Sequence, residues 1–459
     1  FPLYKGGTVV GGVGVIADGI YGLDADISNS DRDVDELIAT AATFNFGAPL
    51  DRRGDRITVD GKTFRFSDVD FSNLARDPAT APAFATLGAA SGALLDVPLF
   101  FVAANGIVRG TVFGQPESGV RAEPGLFPGR DAFVLVSNFN ANRFPPRGAI
   151  GLGGGSLTQT EVTAILDQAL GVANQARAQI RRPTDSQARV SVSVVDLNGG
   201  VLGVARTRDA PIFGLDVSLQ KARTALFFSD PDAAAELTAA PDAVYLNPDG
   251  TPGTTRVRFA DYVADARGFF GLPNLFSDGI WAFSARSIGN ISRPYYPDGV
   301  LNTRHGPLSK PFPQWSPFSD GLQLDLVYNK LASILGAYIG FRDGVLSAPA
   351  ALLRVTGNCT GMSGGKIRNG IQIFPGGMPI YRGDQLVGGV GVSGDGIDQD
   401  DMVSFLGLAR ASALIGGIGH APPARRADQL VPQGTRLRYV QCPQGPLLNS
   451  QQSNVCAGL

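Results

Sequence analysis

Residues Pro379 to Ile397 read PIYRGDQLVGGVGVSGDGI, and the same pattern stands at Pro2 to Ile20 as PLYKGGTVVGGVGVIADGI. The two stretches align without a gap, and most positions are identical. Working outward, Val34-Asp35-Glu36-Leu37-Ile38 answers Gln399-Asp400-Asp401-Met402-Val403, after extra residues in the first copy. Ala48-Pro49-Leu50-Asp51-Arg52-Arg53 then answers Ala421-Pro422-Pro423-Ala424-Arg425-Arg426. Three blocks in one order mark an internal repeat, so the chain carries two copies of one domain's C-terminal half.

Around the repeat, alternation and turn signals give the coarse organisation. In the first copy, β-type runs at Thr8–Val10 and Val13–Val15 precede helical periodicity at Val34, Leu37, Ile38 and Ala41. Asp60-Gly61 reads as a turn between Ile57–Val59 and Thr63–Phe66. Thr158 and Glu161 have capping-box spacing ahead of an apolar face running from Val162 to Ile180. Val190, Val192 and Val194 alternate with Ser191 and Ser193, which predicts a half-buried strand. Asn198-Gly199 predicts a hairpin into Val201–Arg206, followed by a helix over Leu215–Phe228. The second copy closes with strands at Ile367–Phe374 and Gln385–Ser393 and a helix from Asp398 to Ile415. The expected domains are residues 1–66 (the second half of a first copy), 67–150 (a connector or small β region), and 151–228 with 366–440 (a second copy). An insertion, 229–365, carries structure of its own, and a tail, 441–459, follows.

Composition narrows the function classes. Charged residues make up 17% and apolar ones 44%, with 60 Gly and 31 Pro, which describes a loop-rich folded protein. A net charge of −2 shows no footprint for nucleic acid, and no apolar run is long enough to span a bilayer. Of the three cysteines, Cys442 and Cys456 flank a short polar loop, and a disulfide between them suits an exported, periplasmic or extracellular protein.

VSVSVVDLNGGVLGVARTRDAP, continuing through Lys221-Ala222-Arg223-Thr224-Ala225, resembles the first half of the GlcG/HbpS family of small haem-binding domains. GGMPIYRGDQLVGGVGVSGDGIDQDD, Gly376 to Asp401, resembles that family's second half, and residues 1–45 resemble the second half of another copy. The resemblance implies an α+β fold of tandem domains, each an antiparallel sheet flanked by helices. It also implies oligomerisation or membership of a larger assembly, and binding of haem or a related tetrapyrrole. Arg206, Lys221 and Ser393 are then the residues expected beside the ligand, with His305 and His420 the only imidazoles for an iron. Met362, Met378, Met402, Tyr295, Tyr296 and Tyr381 are the other possible axial donors. An alternative reading is a non-catalytic assembly module that keeps the fold without the ligand.

Three further motifs have bland counterparts. Gly389 to Gly394 fits G-x-G-x-x-G, but its glycines fall within a strand, where close helix packing explains them better than a dinucleotide. Gly361-Met362-Ser363-Gly364-Gly365 fits a nucleophile elbow, with Ser363 as nucleophile and Asp395 or Asp400 and His420 in hydrolase order; a glycine turn entering a sheet is the plainer reading. Asp24, Asp26 and Asp31 open an acidic cluster whose oxygens suit calcium, although the loop lacks EF-hand spacing and also suits a helix N-terminus. The first copy lacks its helix–hairpin–helix half, so its sheet edge is expected to be covered by another chain, by an N-terminal piece, or by residues 67–150.

Overall fold

The computed structural model describes residues 1–19, 26, 29–59, 61–92, 101–102, 106–107, 111–151, 155–183, 185–247, 250–298, 300–315, 321–342 and 358–459. They divide into two compact units, Phe1–Gly110 and Thr111–Leu459.

The first unit opens with strands β1 (Pro2–Lys5) and β2 (Thr8–Gly12), paired antiparallel with a bulge between Leu3 and Tyr4. The expected second run, Val13–Val15, does not continue the strand. Helix α1 (Val34–Ala42) starts where Asp33 accepts from the amides of Asp35 (2.8 Å) and Glu36 (3.1 Å). β3 (Thr58–Val59) and β4 (Lys62–Thr63) form the hairpin expected around Gly61, whose φ of +76° suits the turn; its companion Asp60 lies outside the described residues. A two-residue pair, β5 (Phe101–Val102) with β6 (Gly106–Ile107), completes the unit.

In chain order the second unit contains β7 (Val120–Ala122), β8 (Phe133–Leu135), α2 (Gln159–Gln175), β9 (Ser191–Val195), β10 (Val201–Arg206) and α3 (Phe213–Phe228). The insertion supplies α4 (Ala233–Thr238), β11 (Ala243–Leu246), β12 (Pro252–Val257), α5 (Phe259–Phe270), α6 (Ala285–Asn290) and α7 (Gly321–Arg342). β13 (Gly377–Arg382), β14 (Gln385–Ser393) and α8 (Ile397–Ile415) close the fold. Six strands form one antiparallel sheet in the order β13-β14-β9-β10-β8-β7. Helices α2 and α8 pack on each other and on one face; α3 packs on the strands β13, β14 and β9. This is the expected α+β architecture.

Three expectations change. The 67–150 stretch is divided between the units, because β8, within the apolar run Ala132–Val136, pairs with β10 and carries β7 outside it as the last strand of the large sheet. β9 is buried on both faces, not half-buried: Val192 and Val194 belong to the α2 side, while small Ser193 admits α3 and Val195 packs against its Ala222 and Leu226. Lys366–Phe374 is turn and irregular chain, not strand. Gly370 takes a φ of +86°, and the Gln372 and Ile373 amides donate to the Thr224 hydroxyl (2.8 Å) and the Gln372 side chain (3.0 Å), away from any ladder.

The insertion shares the second unit's core, since Leu237, Phe269, Phe283 and Ile288 belong to the same apolar cluster as Val192 and Phe405. The tail is fastened by the expected Cys442–Cys456 disulfide, with Cα atoms 6.2 Å apart, and by Leu448 N donating to Gln175 O (2.9 Å) at the end of α2.

The repeat is reproduced contact by contact. β13–β14 has the register of β1–β2, with Pro379↔Gly389 matching Pro2↔Gly12, and a bulge between Ile380 and Tyr381 matching that between Leu3 and Tyr4. Tyr381 N donates to Gly419 O (2.9 Å) as Tyr4 N does to Phe46 O (2.8 Å). Arg426 Nε reaches Ala421 O (3.0 Å) as Arg53 Nε reaches Ala48 O (3.1 Å). Arg425 donates to Asp384 O as Arg52 does to Gly7 O. The likeness runs on to Phe66 and Tyr439, each lying under the guanidinium of its own copy's arginine.

Candidate functional site

The glycines of β14 are packing devices. A Cβ on Gly391 would lie 1.9 Å from Ser218 O, and one on Gly389 would lie 2.4 Å from Ala222 O, both in α3. The strand is therefore glycine-rich because a helix backbone rests on it. That geometry leaves no phosphate-binding turn, as the in-strand position of the fingerprint implied.

Where α3 begins, a polar row crosses the sheet. Arg206 stands opposite Ser191, and Ser191 opposite Ser393, in the registers of β10, β9 and β14. Directly opposed residues share a face, and the bond between Ser193 and Ser218 (2.8 Å) shows that this face belongs to α3. A Cβ on Gly214, in the first turn of α3, would lie 2.7 Å from Ser393 O, so the row runs beneath that turn.

Arg206 is 1% exposed. Its guanidinium donates to Ala210 O, while Nε and Nη1 have no partner among the described residues, and the Ser191 hydroxyl has none either. Burial lowers the Arg206 pKa, with Asp209 opposing. No side chain caps α3, whose opening residues Ile212 and Phe213 are exposed. The arrangement offers buried donors and a positive helix end beside an apolar rim, which suits a carboxylate on an apolar body. The sequence pointed to Arg206 and Ser393 but not to Ser191, whose only signal was a small polar residue between valines.

Lys221 is committed elsewhere. Its Nζ, buried on α3, donates to Asp400 Oδ2 (2.8 Å) and Val392 O (3.0 Å), tying α3 to α8 through the sheet. Burial pushes Asp400 up to about 6 against the pull of Lys221. Beside it Asp401 accepts from Arg286 Nε (2.5 Å), and Arg286 also reaches Asp398 (2.5 Å). The acidic start of α8 is thus neutralised from within, by partners that lie far off in the sequence.

Neither imidazole joins the row through any hydrogen bond, ion pair or ring contact among the described residues. His420 stacks on Phe405 with ring centroids 4.1 Å apart, and its Nε2 is 3.0 Å from Phe405 O. The residue keeps some exposed surface, but its Nδ1 is buried without a partner, and burial together with Arg426 lowers its pKa to about 3. His305 lies after α6, its Nδ1 3.0 Å from Gly306 O. Met362, Met378 and Met402 are core residues; Tyr296 donates to Thr435 O (2.8 Å), Tyr295 stacks on Phe312, and Tyr381 is buried in β13. The row therefore fits the acidic groups of a haem and supplies its iron no imidazole.

Ser363 is exposed in a bend, no helix follows it, and its hydroxyl has no hydrogen-bond partner among the described residues. The elbow geometry of a serine hydrolase is absent from this stretch. Of the calcium candidates, Asp24 lies outside the described residues, Asp26 is described, and Asp31 N donates to Asp68 Oδ2 (3.0 Å). Among the described residues no three His, Cys, Asp or Glu side chains converge as a metal site.

A separate basic cleft of about 290 Å³ is lined by Arg286, Arg293, Arg436 and Arg438 against Asp298 and Asp398. Its guanidinium groups have partners within the chain: Arg286 as above, Arg436 with Asp428 (3.0 Å), and Arg438 with Gln441 (3.0 Å).

Residues 165–262 and 351–409 match the family model described as haem degrading protein HbpS-like. Two solved structures are similar in part. One is a PduOC–haem complex, 16% identical over 58% of this chain and 99% of that one, with a TM-score of 0.24. The other is Klebsiella pneumoniae protein ORFY, 16% identical over 58% of this chain and 97% of that one, with a TM-score of 0.23. No curated protein matches the chain.

Proposed function

We propose that this chain, whose residues 165–262 and 351–409 match the HbpS-like family model, is an exported protein that binds haem or a related tetrapyrrole through the ligand's carboxylates. The observation that carries the reading is Arg206, buried with two unpartnered donors under the uncapped start of α3. A buried cation without an anion is costly, and a ligand carboxylate is the group that relieves it. Ser191 and Ser393 complete the polar end, while Ile212 and Phe213 supply apolar surface for the ring.

Haem would supply redox and oxygen chemistry when bound. The residues named here hold and orient its acidic edge and exclude water from it. Lys221 contributes indirectly, by holding α3 against β14 and α8 through Asp400. The disulfide in the tail supports the exported reading, since such bonds persist in oxidising compartments. No helix among the described residues is long and apolar enough to cross a membrane.

The test is a haemin titration followed by the Soret band, in the parent chain and in Arg206→Met. A saturable shift in the parent, weakened at least tenfold in Arg206→Met, is expected; a charge-assisted pair is worth about 1.5–3 kcal/mol. A parent chain without a saturable shift leaves the assembly-module reading in its place.

A further inference from the structure

The two copies of the repeat differ in what covers them. In the second copy, β14 pairs with β9 along its outer edge (Gly389↔Val195, Val390↔Val194, Gly391↔Ser193) and carries α3 on one face. In the first copy the equivalent strand, β2, is exposed along its whole length, and its outer edge makes no backbone hydrogen bond to any described residue.

The glycines show the same difference at atomic scale. Gly12 and Gly14 are the counterparts of Gly389 and Gly391. A Cβ on Gly14 would meet nothing within 4 Å, where its counterpart would strike Ser218 O at 1.9 Å; on Gly12 the nearest atom is Phe1 O at 3.5 Å, against Ala222 O at 2.4 Å. The side chains follow suit. Val10 is 57% exposed where Val387 is 1%, and Ile16 is 88% exposed where Ser393 is 3%. Register, bulge and arginine clasp are otherwise the same, so the first copy is built for a cover that the described residues of its own unit do not provide.

We propose that β2 and its glycine face receive the helix–hairpin–helix half of an HbpS-like domain, supplied by a partner chain. The second copy specifies its chemistry. A strand alternating valine with small residues, as β9 does, adds antiparallel to the free edge of β2. A helix with serine and alanine at the contact, as α3 has at Ser218 and Ala222, lies over Gly12 and Gly14. The main-chain bonds supply affinity and the glycine face supplies selection, since a bulky helix face cannot approach so closely. This reading rests on the repeat and is independent of haem binding, so the two fail separately.

Residues 156–230 of this same chain are the probe, added in trans to the whole protein and also fused ahead of Phe1 through a flexible linker. Backbone hydrogen exchange at Thr8–Gly12 is read in both formats. Slowing by about tenfold or more, saturable at one fragment per chain, is expected, and Gly14→Val should abolish it without disturbing the second unit. Unchanged exchange in both formats overturns the proposal. So does protection in the chain alone that grows with its concentration, because the edge is then occupied by a second copy of β2.

Discussion

Replacing His420 with Gln turns the placement of this residue into a measurable pH effect. The imidazole rests on Phe405, its Nε2 bonded to a carbonyl and its Nδ1 shut in without a partner. Burial lowers its pKa from the ordinary 6.5 to about 3. A group depressed in the folded state stabilises fully above the unfolded pKa, and that stability is lost as pH falls from 6.5 toward 3. At pH 5 the unfolded chain binds a proton that the folded chain refuses, which costs about 2 kcal/mol relative to pH 8. Asp400 acts oppositely. Raised to about 6, it adds stability as pH falls from 6 toward the unfolded value near 3.8, so the bare pH profile mixes both groups. Comparing parent with variant removes Asp400, since both carry it. Both tryptophans, Trp281 and Trp315, lie in the second unit and report its urea unfolding by fluorescence. The parent's stability relative to His420→Gln should fall by about 2 kcal/mol between pH 8 and pH 5. Parallel pH profiles would refute the reasoning and return His420 to the pool of accessible ligands.

Four other outcomes follow from the same contacts. Gly391→Val should cost about 3 kcal/mol or prevent folding, because its side chain enters α3, whereas Gly14→Val should stay within about 0.5 kcal/mol in the chain alone; equal effects on thermal unfolding would undo the account of the glycines. Lys221→Met should cost about 3–5 kcal/mol by stranding Asp400, and the double variant with Asp400→Leu should recover much of that loss; a larger loss in the double variant would mean the pair contributes net stability. Arg206→Met should leave urea stability equal or higher, since it removes two unpartnered buried donors; a loss above about 2 kcal/mol would mark Arg206 as structural. Cys442→Ser with Cys456→Ser should lower stability by about 3 kcal/mol and free the tail to proteolysis, and an unchanged melting temperature would count against the staple.

Local signals carried most of the fold. The capping box of Thr158 and Glu161, the Asn198-Gly199 turn and the repeated glycine strand each depend on residues close in sequence, and each appears where the pattern placed it. The errors came where distant chain decided the outcome. Ser191 and Ser193 look solvent-facing until α3 covers them, and Lys366–Phe374 looks like a strand until side chains capture its amides. β8 has the apolar run of a strand, but no local feature says which sheet it joins.

The site divided along the same line. Arg206 and Ser393 were singled out from a pattern, and their part in binding rests on the haemin titration; the commitment of Lys221 to Asp400 required knowing that α3 and α8 meet through the sheet. His420 was one of only two imidazoles and would have had to fold back over the row; its packing against Phe405 is a tertiary fact.

On the proposed reading the carboxylates, and no imidazole, anchor the ligand. Metal-free protoporphyrin should therefore bind the parent chain with an affinity within about threefold of haemin, and Arg206→Met should weaken both by tenfold or more. His305→Ala and His420→Ala should leave both unchanged in folded protein. Haemin binding that far exceeds the metal-free ring and vanishes with either histidine would contradict the account.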